Sequence, residues 1–362
     1  MARPWFAVML SSLVVAGCGH SQDASDDDGG PVATDDGGEA GDDASSGADA
    51  ATDGGPVPLV TEPDQGMQPI YDFIGTATKT IDMTMYEDTD TEVTSLLTKA
   101  AANGVAVRVI LDQNLEKSSN TTAYTALGAA NVGVHWANPT YAATHQKTIT
   151  VDGTVSAVMS LNLATEDYKT SRDFAVFTTD AADVAAIEAV FASDFIDAPV
   201  TPGNGDDLVW SPTNSQSSLV GIIGGAKASL LVENEEMGDS SIVSALAGAA
   251  SRGVDVQVVM ENSSSYQSEF TTLVNAGVKL VTYAHSALYI HAKVILADYG
   301  ASGARVFIGS ENFSNASLTE NRELGLVTTD AGIMASIHGT LTSDFAGGTT
   351  FKPSASSADA GP

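Results

Sequence analysis

The apolar positions of the chain trace one pattern of elements twice. Thr80-Ile81-Asp82-Met83-Thr84-Met85-Tyr86 alternates as a strand does, with every second side chain on one face. Val93, Leu96, Leu97, Ala100 and Ala101 follow at helical spacing, and Gly104 stands where a helix stops. The run from Val105 to Asp112 predicts the next strand. The same order returns from Ser229. A strand runs through Val232 and Glu233, a helix carries Ile242, Val243, Leu246, Ala249 and Ala250, Gly253 ends it, and a strand covers Val254 to Glu261. Each half continues with a helix, a Gly-Val turn into a strand (Gly133-Val134, Gly277-Val278), a long strand pair and a closing helix. Strands alternating with helices predict an α/β sandwich in each half. Two copies facing each other would place matching loops at a shared cleft. Pro199, Pro202, Gly203 and Gly205 mark the join, so the halves are read as residues 61–200 and 201–346, with a flexible tail at 347–362.

Ahead of the repeat the pattern changes twice. Arg3 precedes a short apolar stretch, Trp5 to Ala16. It is well under the ~20 residues a membrane-spanning helix needs and suits the core of a signal peptide. The chain's one cysteine ends the run Val15-Ala16-Gly17-Cys18, which resembles the bacterial lipobox. That resemblance implies cleavage before Cys18 and a lipid on its thiol; a plain secretory signal with an incidental cysteine is the bland alternative. Residues 1–18 are therefore expected to be a lipoprotein signal peptide. The mature protein is expected on the bacterial cell envelope, at the outer membrane or its periplasmic face. A single cysteine leaves no intramolecular disulfide and no thiolate metal site. Residues 19–60 are mostly Asp, Gly, Ala and Ser, a composition that predicts a disordered acidic tether. Its Asp/Gly runs lack the alternating ligand spacing of calcium loops.

Composition adds one constraint. The 362 residues are 43% hydrophobic, enough for a large core, but 46 Asp and Glu against 15 Lys and Arg give a net charge of −31. The acidic excess continues past the tether. A protein that neutralises nucleic-acid phosphates carries a basic face, so charge argues against a nucleic-acid partner.

Candidate chemistry lies in a duplicated motif. His145-Gln146-Lys147 is followed by Asp152, and His291-Ala292-Lys293 by Asp298, at the same spacing. Residues i and i+2 of a strand share a face, so each imidazole projects beside an ammonium, a pairing suited to an anionic phosphoryl group. Downstream come Ser160-Leu161-Asn162 and Ser310-Glu311-Asn312, then Arg172-Asp173 and Asn321-Arg322-Glu323. No Walker loop, zinc-binding helix or nucleophile elbow accompanies them.

This double motif resembles the phospholipase D superfamily, with its paired HKD motifs, over roughly residues 66–345. The resemblance implies a duplicated α/β/α sandwich whose pseudo-twofold halves share one active site. It implies a phosphohistidine intermediate, no metal and no other cofactor, and a monomer suffices to complete the site. It makes His145 the nucleophile and His291 the general acid/base. A neutral imidazole is a competent nucleophile near neutral pH, and a second one can give and take protons there. Lys147 and Lys293 would balance charge on the phosphoryl oxygens, and Asn162 and Asn312 would donate to them, with Ser160 and Ser310 supporting that substrate-binding face. Asp173 and Glu323 fill the positions of the carboxylates that orient the histidines. Asp152 and Asp298 read as structural, fixing the turn that follows. One departure is Met159 where the second half keeps Gly309; Met159 is expected to crowd the first-half phosphate site.

Other candidates have plainer readings. His135 and His338 read as structural or surface residues. His285, with Tyr283 and Tyr289, lies on the approach to His291. Glu233, Glu235 and Glu236, and Tyr86 and Glu87, end strands that point toward the cleft, where solvated carboxylates are the alternative. The expected activity is a phospholipase D-type phosphoric diester hydrolase acting on phospholipid or another phosphodiester, with transfer to alcohols as a variant. A metal-independent nuclease, a cardiolipin-synthase-like phosphatidyltransferase and a silent phosphoryl-binding lipoprotein are the alternatives.

Overall fold

The computed structural model describes residues 58–353. The signal sequence, lipobox and nearly all of the tether lie outside the described residues, as does the end of the tail.

The first half runs β1 (Leu59–Glu62), α1 (Gln68–Gly75), β2 (Thr80–Met85), α2 (Thr91–Ala102), β3 (Ala106–Leu111), α3 (Lys117–Ala129) and β4 (Gly133–Trp136). It then continues as β5 (Thr148–Val151), β6 (Val155–Met159), β7 (Ser171–Thr178) and α4 (Ala181–Asp194). The second half repeats the order with β8 (Leu208–Ser211), α5 (Ser215–Gly225), β9 (Ser229–Asn234), α6 (Ser240–Ser251), β10 (Asp255–Glu261), α7 (Gln267–Asn275) and β11 (Lys279–Tyr283). An added short strand, β12 (Tyr289–Ile290), precedes β13 (Val294–Ala297), β14 (Arg305–Gly309), α8 (Asn315–Thr319), β15 (Glu323–Thr328), α9 (Ala331–Gly347) and β16 (Thr349–Thr350).

Each half folds around a mixed sheet, ordered β1-β7-β6-β5-β2-β3-β4 in the first and β16-β11-β10-β9-β13-β14-β15-β8 in the second. Within each half the parallel pairs are those joined by crossover helices (β2 with β3, β3 with β4, β9 with β10, β10 with β11). The motif strands β5 and β13 run antiparallel to β2 and β9. The helix stops read from the pattern are real: Gly104 and Gly253 adopt φ of +90° and +89°, just past α2 and α6. At the other ends Asp90, Asp180, Asp239 and Asp330 cap α2, α4, α6 and α9, each carboxylate accepting from first-turn N–H groups.

Three large cores result. One packs α1–α3 on the first sheet, and one packs α5–α7 on the second. The third joins Val158, Phe174 and Val176 of the first half to Val294, Ile308 and Leu324 of the second, with Ile187 and Val190 of α4 and Ile333 and Ile337 of α9. The faces that meet are thus apolar on both sides, and the two halves form one body.

Polar exchange reinforces this joint. Arg172 of the first half pairs with Asp344 of α9 at 2.7 Å, and Arg322 of the second pairs with Asp194 of α4 at 2.9 Å. Each buried guanidinium therefore takes its carboxylate from the other half's closing helix.

Asp152 and Asp298 end β5 and β13 in the same left-handed conformation, both with φ 54°. Their carboxylates accept the backbone N–H groups of Thr78, Lys79 and Thr80, and of Lys227, Ala228 and Ser229. Both carboxylates thus clamp the turn that enters β2 or β9 rather than the turn that follows them.

Candidate active site

Backbone pairing carries each histidine into the opposite half. His145 and Gln146 both donate their N–H to the Arg322 carbonyl, at 2.9 and 3.0 Å, where β15 begins. In the mirror arrangement β12 adds in parallel to the start of β7, with Tyr289 facing Ser171 and Ile290 facing Arg172. Each His-x-Lys segment is thereby hydrogen-bonded beside the acidic residue of the other repeat.

The carboxylates are exchanged as a result. His145 Nδ1 lies 2.8 Å from Glu323 Oε2 and 3.1 Å from the Ser310 carbonyl, while His291 Nδ1 lies 2.9 Å from Asp173 Oδ1. All these partners are acceptors, so each Nδ1 carries the proton, and a neutral ring keeps its lone pair on Nε2. The carboxylates are held in turn. The Ser160 and Ser171 hydroxyls donate to Asp173, and the Ser317 hydroxyl and Asn321 amide donate to Glu323. Ser160, which the resemblance makes a support of the substrate-binding face, donates to the Asp173 carboxylate at 2.6 Å.

Burial pushes the His145 imidazolium below its ordinary range, and Lys147 adds to that effect while Glu323 opposes it. Burial pushes the Lys147 ammonium down to about 7. Burial alone would raise Asp173 and Glu323. Asp173 is instead held below the usual carboxylate range by His291 and Lys293, and Glu323 by His145 and Lys147.

His145, His291, Asn162 and Asn312 open together on a cleft of about 490 Å³, with Lys147 and Lys293 buried beneath. Lys147 Nζ donates to the His145 carbonyl at 2.6 Å and sits 4.7 Å from the Tyr86 ring centroid. Lys293 donates to the His291 carbonyl and to Glu235 Oε2, the latter at 3.2 Å. Tyr86, Glu87, Asp167, Glu235, Glu236 and Tyr289 complete much of the wall. Glu235 is the member that sequence reasoning left undecided, because a strand-end carboxylate reads equally well as solvated. Its only signal was its place opposite Tyr86 in the repeat.

Several expected positions fall elsewhere. Glu233 is fully buried outside the cleft, where burial raises its carboxyl well above the ordinary range. His285 is exposed, pairs with Glu261 at 3.3 Å and reaches the cleft only through ring contact with Tyr289. His135 lies beside Asp197 and His338 stacks on Tyr299, both away from the cleft. Met159 does not crowd the phosphate side, which corrects the expectation. It is fully buried in the first core, on the strand face opposite Ser160 and Asn162. Its counterpart is Gly309 because a Cβ there would overlap the Glu311 carboxylate and the Gly325 backbone. Among the described residues no group of three or more His, Cys, Asp or Glu is placed to hold a metal, and no helix is long and apolar enough to cross a membrane.

Comparison with known proteins agrees with this geometry. The family model described as "Cardiolipin synthase, PLD-like domain" matches twice, over residues 70–195 and 219–345. The Cardiolipin synthase A of Pseudomonas aeruginosa is 30% identical over 32% of this chain, a match spanning only 24% of that protein's length. Cardiolipin synthase 1 of Bacillus anthracis is 24% identical over 84% of this chain and 69% of its own. Among solved structures, a phosphatidylserine synthase from Haemophilus influenzae matches with a TM-score of 0.63 at 12% identity, over 82% of this chain and 87% of that one. A polyphosphate kinase from Porphyromonas gingivalis also gives 0.63, at 15% identity, over 79% of this chain and 50% of its own. These structural likenesses speak to the fold alone. With the family model matched in both halves and both motifs meeting in one cleft, the chain belongs to the phospholipase D superfamily, as a member with two PLD-like domains.

Proposed function

We propose that the protein transfers a phosphatidyl group between phosphodiester partners through a phosphohistidine, with His145 as nucleophile and His291 as general acid and base. The observation that carries this reading is the exchanged pair of imidazoles, each oriented at Nδ1 by a carboxylate from the other half. Burial keeps His145 neutral near pH 7, with the Nε2 lone pair free to attack phosphorus. The P–O bond to the leaving alcohol breaks as His291 Nε2 delivers a proton to that oxygen. In the second step His291 takes the proton from an incoming hydroxyl, whose oxygen attacks phosphorus and releases His145. Lys147 and Asn162 from one half, and Lys293 and Asn312 from the other, stabilise the charge on the non-bridging oxygens.

The relatives named as cardiolipin synthases favour an alcohol as acceptor. Hydrolysis is the same intermediate met by water, and the open cleft supports it as a second outcome. The test uses phosphatidylglycerol and phosphatidylcholine vesicles, a primary alcohol and excess EDTA. Expected products are cardiolipin or phosphatidyl-alcohol, with phosphatidic acid marking hydrolysis, all lost in His145→Asn and His291→Asn. Intact phospholipid alongside cleavage of DNA would overturn the reading in favour of a nuclease, which the charge of −31 disfavours.

The run ending at Cys18 supports a lipid anchor that would hold this site near its substrate. Metabolic labelling with a palmitate analogue should mark the wild type and not Cys18→Ser.

A further inference from the structure

The halves compensate their lysines differently. Tyr86 and Glu235 occupy matching positions, one residue past β2 and β9. In the first half that position offers a ring, and among the described residues Lys147 has no carboxylate in ion-pair contact. In the second half it offers a charge. Glu235 Oε2 lies 3.2 Å from Lys293 Nζ, 3.2 Å from Asn312 Nδ2 and 3.6 Å from His291 Nε2, while Oε1 accepts the Tyr289 hydroxyl at 2.6 Å. These are the groups a phosphoryl oxygen would meet. The carboxylate does not fill the subsite, however. Lys293 lies buried beneath, while Glu235, His291 and Asn312 all line the open cleft, which keeps room for a phosphoryl group beside the carboxylate.

We propose that Glu235 is a built-in counter-charge of the phosphoryl subsite, matching the cleft to singly charged phosphodiesters and against doubly charged phosphomonoesters. The proposal rests on the phosphodiester reading above. With Glu235 ionised, its charge offsets that of Lys293, and a phosphodiester brings one negative charge to the subsite where a phosphomonoester brings two. A phosphomonoester dianion would bring a second negative charge against Glu235. Burial would raise this carboxyl, but Lys293, His291 and the Tyr289 hydroxyl hold it well below the usual range, so it stays charged at working pH. Glu87, Asp167 and Glu236 line the same cleft and add the same sign. Charges a few ångströms apart in a partly buried site discriminate by tenfold or more. The same device expels a phosphomonoester product.

The test is calorimetric titration of the full-length protein with inorganic phosphate at about pH 8, where it is mainly a dianion, and with diethyl phosphate, a monoanion. Glu235→Gln keeps the shape, and Glu235→Tyr installs the first-half residue in case the amide misfolds. Removing one negative charge should help the dianion twice as much in free energy. If diethyl phosphate gains a given factor, phosphate should gain roughly its square, about tenfold or more overall. Equal gains for the two anions, no gain, or undetectable phosphate binding in folded variants would overturn the proposal. Vesicle turnover by wild type and His145→Asn judges the phosphodiester reading separately, so the two can fail independently.

Discussion

Lys147 is fully buried and spends one N–H on the His145 carbonyl, yet among the described residues it has no carboxylate in direct contact. Burial lowers its ammonium from the reference 10.5 to about 7. At about 1.4 kcal/mol per unit, a shift of that size corresponds to a cost on the order of 5 kcal/mol at most for keeping the charge in place. Lys147→Met retains the apolar stem beside Tyr86 and removes that cost. It forfeits a hydrogen bond of about 1 kcal/mol and a cation–π contact of about 1–2 kcal/mol, the attraction of Glu323 being already contained in the shifted value. The net expectation is a gain of roughly 1–3 kcal/mol in stability, or several degrees in Tm, with turnover lowered at least about a hundredfold.

The pH dependence gives this prediction its sign. A lysine whose folded pKa lies below its unfolded value destabilises the fold fully while protonated in both states, below about pH 7. The penalty shrinks as pH rises from there toward 10.5. Lys147→Met should therefore exceed wild type most at pH 6 and converge with it near pH 10, as read by thermal unfolding at both. A variant less stable than wild type at pH 6, or a gap that widens with pH, would refute the reasoning. Lys293→Met should behave oppositely, because it strands the Glu235 carboxylate without its cation; a loss of about 1–3 kcal/mol is expected.

Exchange of the carboxylates predicts crossed effects. Glu323→Gln should lower kcat by about 10²–10⁴ and shift the hydrogen-bonded Nδ1 proton resonance of His145, which retains the Ser310 carbonyl, while leaving that of His291 unmoved, with Asp173→Asn doing the converse; same-half changes would contradict the geometry. In the free enzyme, kcat/KM should decline on the alkaline side from about pH 7 as Lys147 loses its proton, and its acid limb should lie below that of ordinary histidine. Asp152→Ala should leave kcat intact yet cost about 1 kcal/mol, by removing the acceptor shared by three backbone N–H groups at a largely exposed turn. The Asp152 carboxyl is held down to about 2, against its slight burial, by Thr78, Thr80 and Lys79, so its contribution is present above the ordinary carboxylate range and fades as pH falls toward 2.

How much of this was legible follows from the range over which each feature is determined. The strand parity of His-x-Lys and Ser-x-Asn is local, so the side chains that each motif sends to one face could be read directly, although only the histidine and asparagine of each pair reach the cleft itself. That parity also governs Met159, which sits one residue from Ser160 and must face the other way; taking it as a phosphate-site residue overlooked the same rule. The service of Glu323 to His145 and of Asp173 to His291 spans 178 and 118 residues. It depends on β12 and the His145 segment crossing to the opposite sheet, which no local pattern encodes. Glu235 fell between these cases, since its strand was legible but its neighbours Lys293, Asn312 and Tyr289 come together only in the fold. The duplicated pairs Arg172–Asp344 and Arg322–Asp194 carry the same logic into stability. A half folded alone would leave Arg172 without Asp344, or Arg322 without Asp194, and would present a histidine without its orienting acid. The halves are therefore expected to acquire their final packing and their paired imidazoles in one step, which makes the docking of the halves itself the event that assembles the site.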